Sequence, residues 1–227
     1  TGMTLQRLPD GTQNPAWVKE RQGMVGGSQM GRIFSDCNWD EVPVAKRGVK
    51  GGVSQDRMTL AKKLAAERLT GHSVDNVNPN NPDIKRGNEM EPIALSAYEV
   101  KFGVFLNAAR WVEHPEIPGS GSTPDAFAPD GGLVQVKAPR FDNYLSHVSV
   151  GVVPKEDVTQ LIWEQAVTRA PWTDFLLYCA EMPEGKRMKV IRFAATTEQI
   201  EAMEAVVREF VAETEFIFDT ISKMEFS

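Results

Sequence analysis

Two short stretches hold the residues best suited to chemistry, Thr123-Pro124-Asp125 and Gln135-Val136-Lys137. Between them an Asp130-Gly131 pair separates two short β-prone runs, the pattern of a tight hairpin turn. The hairpin is expected to run over residues 125–128, turn at 130–131 and return over 132–137. Side chains alternate along a strand, so residues 135 and 137 share a face and the fold-back sets Asp125 beside them. Ionisable groups gathered on an otherwise apolar strand pair are costly unless they are paired or bind something. Magnesium answers that need, since it takes oxygen ligands from one or two carboxylates, waters and phosphate groups. The matching chemistry is phosphodiester hydrolysis, in which the metal activates water and stabilises developing charge. Lys137 would position and polarise the water or the phosphate. A surface hairpin with ordinary Asp and Lys residues would spell the same string, so the neighbourhood matters. Arg86-Gly87-x-x-x-Glu91 sets a further carboxylate early in the preceding helix, within reach of the sheet edge. Taken alone, a glutamate there would only complement the helix dipole.

The elements that must hold these groups follow from periodicity and breakers. A short helix is expected over residues 15–20 and a second from about Ser28. Residues 45–53, with three glycines and three cations, read as a loop, either simply solvated or a flap facing nucleic acid. Ser54 then caps a helix through Leu69, with Met58, Ala61, Leu64, Ala65 and Leu69 on one face and Gly71 as the stop. A Pro/Asn-rich loop over 77–83 leads to a helix over 87–102, closed by Gly103, and 104–112 reads as a strand. Beyond the hairpin, Pro154 opens a helix to about Arg169. Strands over 175–181 and 188–193 are joined by the turn Pro183-Glu184-Gly185. From Thr197 a long amphipathic helix presents Ile200, Met203, Val207, Phe210, Val211 and Ile217. This order predicts an α/β fold, a small mixed sheet flanked by helices. Repeats and long linkers are lacking, which predicts one domain over 1–227, with Thr1-Gly2 resembling a cloning remnant.

A net charge of −6 speaks at first against nucleic acid as a partner. Its distribution speaks differently. Residues 198–227 hold eight acids and two bases, which leaves the rest neutral, and residues 1–63 carry ten Lys/Arg against six Asp/Glu. A basic N-terminal region and an acidic C-terminal helix would give a positive channel inside an acidic exterior. No apolar run is long enough to span a membrane and no leader pattern opens the chain, so a cytoplasmic location and no membrane partner are expected. Cys37 and Cys179, and the scattered His72, His114 and His147, lack metal-ligand spacing; the cysteines read as buried thiols. No GxxxxGK[ST] loop is present, consistent with ATP independence.

The stretches RGNEME ending at Glu91, STPD ending at Asp125, QVKAP containing Lys137 and TQLIWEQ containing Gln160 occur in an order and with gaps that resemble the lambda exonuclease family. These are viral recombination exonucleases of the PD-(D/E)xK superfamily, and the similarity runs at low identity over nearly the whole chain. Upstream, Arg21-Gln-Gly-Met-Val-Gly-Gly-Ser28 resembles the family's arginine, six intervening residues and serine at a helix entry. The resemblance implies a restriction-endonuclease-like core in which Glu91, Asp125 and residue 135 hold Mg2+, with Mn2+ as a substitute, assisted by the Val136 carbonyl. Lys137 would be the catalytic lysine. Arg21, Ser28, Thr123 and Gln160 would form a pocket for a 5′-terminal phosphate. A planar fork of donors, two hydroxyls and an amide suit such an anion. Ile84 falls where the family places an apolar wedge against the terminal base pair, although a core role would equally explain it. The implied activity is processive, ATP-independent 5′→3′ digestion of double-stranded DNA in a host cell of a phage or prophage. It would release 5′-mononucleotides and leave a 3′ strand for recombination. The implied partners are DNA ends bearing a 5′-phosphate, two further copies in a ring-shaped homotrimer, and a single-strand annealing protein.

One position departs from the pattern. Residue 135, where the family carries a carboxylate, is Gln. Its amide oxygen can ligate magnesium but brings no charge, so metal affinity and water activation should both fall. Either glutamine is native to this chain or it replaces a glutamate. Two further functions stay open at this point: a structure-specific or restriction-like endonuclease using the same hairpin, and a catalytically dead module that binds DNA ends. A purely structural phage protein, without a phosphate pocket, is the remaining alternative.

Overall fold

The computed structural model describes residues 4–8, 10, 12–34, 55–73 and 81–225. Cys37, the 45–53 loop, Ser54 and most of the 77–83 loop lie outside these. The sheet is organised around two parallel strands, β5 (Leu133–Lys137) and β6 (Thr173–Tyr178), with Leu133 opposite Thr173 and Lys137 opposite Leu177. Every residue of β6 is buried, which explains why its sequence from Phe175 to Tyr178 is a continuous apolar run rather than an alternation. Antiparallel neighbours extend the sheet. β4 (Ala126–Phe127) pairs with β5, β1 (Asn107–Ala108) pairs with β4, and β7 (Met188–Phe193) closes the far side, giving the order β1-β4-β5-β6-β7. A separate ribbon joins β2 (Val112–Glu113) to β3 (Gly121–Ser122).

Parallel neighbours need a crossover. Here α5 (Phe141–Val150) and α6 (Lys155–Thr168) supply it. One face of the sheet is covered by α4 (Pro82–Phe102), whose Ala94 and Tyr98 meet Ala126, Val134, Val136 and Leu176. On the other face Tyr144 of α5 and Leu161 of α6 meet Phe175 and Leu177. The outer side of α6 packs Ile162, Trp163 and Ala166 against α2 (Met30–Ile33), α3 (Gln55–Thr70) and α7 (Thr197–Ser222). With both sides occupied, α6 is buried continuously from Leu161 to Val167. Each such large apolar side chain contributes about 1.5–3 kcal/mol. Any polar residue α6 keeps is therefore conspicuous. Short α1 (Pro15–Glu20), capped by the Asn14 side chain, leads into a 3-10 turn at Gly27–Gln29 and then α2.

Several expectations need correction. The helix bearing Glu91 starts at Pro82 rather than 87, because the Asn81 side chain accepts from the Asp83 N–H and proline occupies the first turn. Glu91 therefore stands mid-helix and is not complementing the dipole. The strand expected over 104–112 is only β1 and the start of β2. The Leu106 N–H is taken by the Glu99 side chain, and the chain leaves one sheet for the other between them. α5 was not anticipated at all. β6 begins and ends earlier than expected, and the turn after it is a 3-10 segment at Glu184–Lys186. In α3 the buried stripe is Leu60, Ala61, Leu64 and Ala65, while Leu69 is 41% exposed. The charge separation is also partly cancelled. Acidic α7 lies on α3, where Arg57 forms two 2.9 Å bonds to Glu213 and Arg68 pairs with Glu215. As expected, Cys179 is a buried free thiol, and no helix among the described residues is long and apolar enough to cross a membrane.

Candidate active site

The hairpin forms as the Asp-Gly pair predicts. The Ala128 N–H donates to the Gly132 carbonyl, and Gly131 turns through φ 89°, a conformation only glycine adopts freely. Pairing of Ala126 with Val134 fixes the register and sets Asp125 across from Gln135. Side chains of β5 then divide. Val134 and Val136 enter the core beneath α4, while Gln135 and Lys137 share the opposite face. Gln135 Nε2 donates to Asp125 Oδ2 at 2.7 Å, and the Val136 N–H donates to the same oxygen at 2.7 Å. The other end of the amide, Gln135 Oε1, is buried without a partner.

Glu91 approaches from α4, held by Arg7 at 3.6 Å, while Arg7 also donates to Asn88. Burial, reinforced by the nearby Glu91 charge, pushes the Asp125 carboxyl up to about 7 despite the Val136 N–H and Lys137. Burial raises Glu91 as well, with Arg7 opposing. Two carboxylates thus stand close in a partly dry setting, short of positive charge. Lys137 is drawn toward α6, where its ammonium lies 2.9 Å from Asp157 and 3.3 Å from Gln160 Oε1. Burial alone would lower the Lys137 pKa. The Asp157 charge and hydrogen bond, aided by Asp125, more than reverse this, and the group stays a cation.

Gln160 in turn donates through Nε2 to Glu164 Oε1 at 2.8 Å. Asp157, Gln160 and Glu164 are spaced three and four apart, so they form one polar stripe on α6 facing the hairpin. Beside this stripe lies a cleft of about 1090 Å³. Arg7, Arg21, Ser28 and Ile84 all line it. The Arg21 guanidinium stacks 4.5 Å over the Trp17 ring, and Trp17 Nε1 donates to Thr123 Oγ at 3.1 Å. Thr123 therefore links the Arg21 side of the cleft to Asp125, two residues on. Ile84 is 39% exposed, which removes the core alternative for it.

The sequence-predicted residues are thus divided between two adjoining places. Asp125, Gln135, Lys137, the Val136 backbone and Glu91 gather at the end of the sheet. Arg21, Ser28 and Ile84 line the cleft, and Thr123 and Gln160 stand between. Arg7, Trp17, Asp157 and Glu164 escaped the sequence reading. The stripe on α6 was open to detection, as Asp157, Gln160 and Glu164 recur at helical spacing, whereas nothing in its local pattern marks Arg7.

This end of a mixed five-stranded sheet flanked by helices is the architecture of phage-related alkaline exonucleases. LHK-Exo, an alkaline exonuclease from Laribacter hongkongensis solved alone and in complex with dAMP, superimposes with a TM-score of 0.79 at 24% identity, over 92% of this chain and 97% of that one. A phage-related exonuclease from Haemophilus somnus 129PT gives a TM-score of 0.61 at 14% identity, over 89% and 96% of the two chains. Residues 16–171 match the YqaJ-like viral recombinase domain, and the chain belongs to that family. No protein with a curated description matches it.

Proposed function

We propose that the chain is a magnesium-dependent, ATP-independent exonuclease. It would digest double-stranded DNA processively from a 5′-phosphorylated end, release 5′-mononucleotides and leave a 3′ strand for recombination. The observation that carries this reading is the meeting of Asp125, Gln135, Lys137 and Glu91 beside a cleft lined by Arg21 and Ser28. Residues 1–227 would act as one nuclease domain. The dAMP bound to LHK-Exo is a mononucleotide of the kind proposed as product.

The donor set suits a divalent cation. Among the described residues no three His, Cys, Asp or Glu side chains cluster as a metal cage. Two carboxylates raised by burial, together with the unpartnered Gln135 Oε1, nevertheless offer oxygen donors and a deficit of positive charge. Asp125, Glu91, Gln135 and the Val136 carbonyl would hold magnesium, which when bound lowers the pKa of water and screens the phosphate charge. Lys137, kept protonated by Asp157, would hold its ammonium at the scissile phosphate and stabilise charge developing on it. Arg21, Ser28, Thr123 and Gln160 would receive the terminal phosphate and so set which bond lies over Asp125. Ile84, exposed at the cleft, would wedge the terminal base pair.

Ring closure as a homotrimer would keep the enzyme on its substrate without a motor. Val100 and Phe105, 84% and 89% exposed near the end of α4, supply apolar surface for such a contact. A single-strand annealing protein would take the emerging 3′ strand. One observation favours a second reading. Gln135 donates to Asp125 in place of adding a third negative charge, which suits a module that grips DNA ends with little turnover. Release of acid-soluble nucleotides from linear, 5′-phosphorylated duplex in magnesium tests the proposal, with Lys137→Ala as control. Release from linear but not covalently closed circular DNA, lost in the alanine variant, is expected. Nicking of the circle would point to an endonuclease, and equal inertness of both proteins to the end-binding module.

A further inference from the structure

Glu164 has no task in the chemistry proposed above, yet it is 0% exposed and stands beside Gln160. Its Oε1 accepts from Gln160 Nε2, its Oε2 is buried without a partner, and among the described residues no cation pairs with it. An ionised carboxylate so placed would lack nearly all the compensation a buried charge requires. The side chain must therefore fold as the neutral acid. The backbone of the 3-10 turn passes directly over it. A Cβ on Gly27 would fall 2.5 Å from Ser122 Oγ and 3.5 Å from Glu164 Oε1, so only glycine fits, and the adjoining Ser28 lines the cleft on the far side. Ser122 Oγ is itself buried and unpartnered. A phosphate seated at Ser28 would thus be separated from Glu164 by little more than one backbone turn.

We infer that Glu164 is a positioning residue for end recognition: as a neutral acid it locks the Gln160 amide, nitrogen toward itself and oxygen toward Lys137, and its ionised form abolishes preference for a phosphorylated end. The inference rests on the phosphate-pocket reading above. The charged groups that face Glu164 are Asp125 beside β4, Lys137 on β5 and Asp157 on α6. Burial is the largest influence, and with the two acids opposed by Lys137 and the Gln160 amide it pushes the carboxyl up to about 8. Ionisation would set an anion behind a site meant for an anion. It would also hold Gln160 more tightly to Glu164, away from an incoming phosphate.

The test compares binding of 5′-phosphorylated and 5′-hydroxyl duplex ends by fluorescence anisotropy, in chelator, between pH 7 and pH 9. Without metal no turnover intrudes. Glu164→Gln keeps the acceptor oxygen for Gln160 and has no proton to lose. The unaltered protein should lose about tenfold in its phosphate preference over this range, because about one molecule in ten keeps the proton one unit above its pKa. Glu164→Gln should hold its pH 7 preference throughout. Glu164→Leu, which fills the space without an acceptor, should bind both ends alike at every pH. A parallel decline in the Gln variant, or an undiminished preference in the Leu variant, overturns the inference. Absence of any preference in the unaltered protein at pH 7 instead overturns the pocket reading and this inference with it.

Discussion

Substituting Gln135→Glu adds a third carboxylate and should make the fold depend on a divalent cation. The amide nitrogen now donates to Asp125 Oδ2 at 2.7 Å, and Asp125 already sits at about 7. A carboxylate in its place sets oxygen against oxygen at that separation. Two carboxylates so close cannot both ionise, so the pair must share a proton or move apart. Moving apart forfeits a hydrogen bond to a charged group, worth about 1.5–3 kcal/mol. At about 2–4 °C per kcal/mol for a chain of this size, the melting temperature at pH 8 in chelator should fall by roughly 3–12 °C. At pH 5 the shared proton is readily supplied and the deficit should shrink. Saturating magnesium should reverse it, since ligand at a hundred times its dissociation constant stabilises by about 2.7 kcal/mol. Parent and variant would be melted in chelator and in a magnesium series at both pH values, with no reference to activity. A variant as stable as its parent in chelator at pH 8 would refute the contact of residue 135 with Asp125, and the absence of a magnesium shift in either protein would refute the argument that Asp125, Glu91 and residue 135 form a cation site.

Two further outcomes follow from the packing. Arg57 is 4% exposed and holds Glu213 through two 2.9 Å bonds, so Arg57→Ala should cost about 2–3 kcal/mol in urea unfolding; this is below the 3–5 kcal/mol of a fully buried pair because Glu213 keeps some solvent. A loss under 1 kcal/mol would mean that α3 and α7 are held by their apolar stripe alone. Glu164 is raised from 4.5 to about 8, so between these values the unfolded chain ionises while the folded one keeps its proton, and stability falls as pH rises, by up to about 1.4 kcal/mol per unit. Glu164→Gln removes that slope, so its stability relative to the parent should improve by about 3–4 kcal/mol between pH 5 and pH 8 in urea unfolding, and a pH-independent difference would refute the buried acid.

How much of this was legible in the sequence depends on whether the signal was local. The hairpin was legible because Asp130-Gly131 specifies its own turn and alternation carries Gln135 and Lys137 to one face, whatever the rest of the chain does. α7 was legible because its stripe repeats over many turns. α4 was misplaced at its start because the Pro/Asn-rich stretch over 77–83 reads as a loop, whereas the Asn81-Pro82 cap inside it satisfies the first free N–H groups and so decides where the helix begins. The strand over 104–112 failed for a different reason. Its apolar residues serve two sheets, with Leu106 tied to Glu99 and Trp111 packed over Gly121, and no local pattern records a change of partner. In the site the same division holds. Asp125, Gln135 and Lys137 are brought together by one turn, but the acid that holds Lys137 and the acid behind Gln160 lie on α6, which reaches the hairpin only because the parallel step from β5 to β6 forces a crossover. A motif read along the chain finds the groups that act on a substrate. The groups that fix their protonation and rotation arrive from the crossover, and the unpartnered oxygens of Gln135 and Glu164 become visible only when both layers are in place.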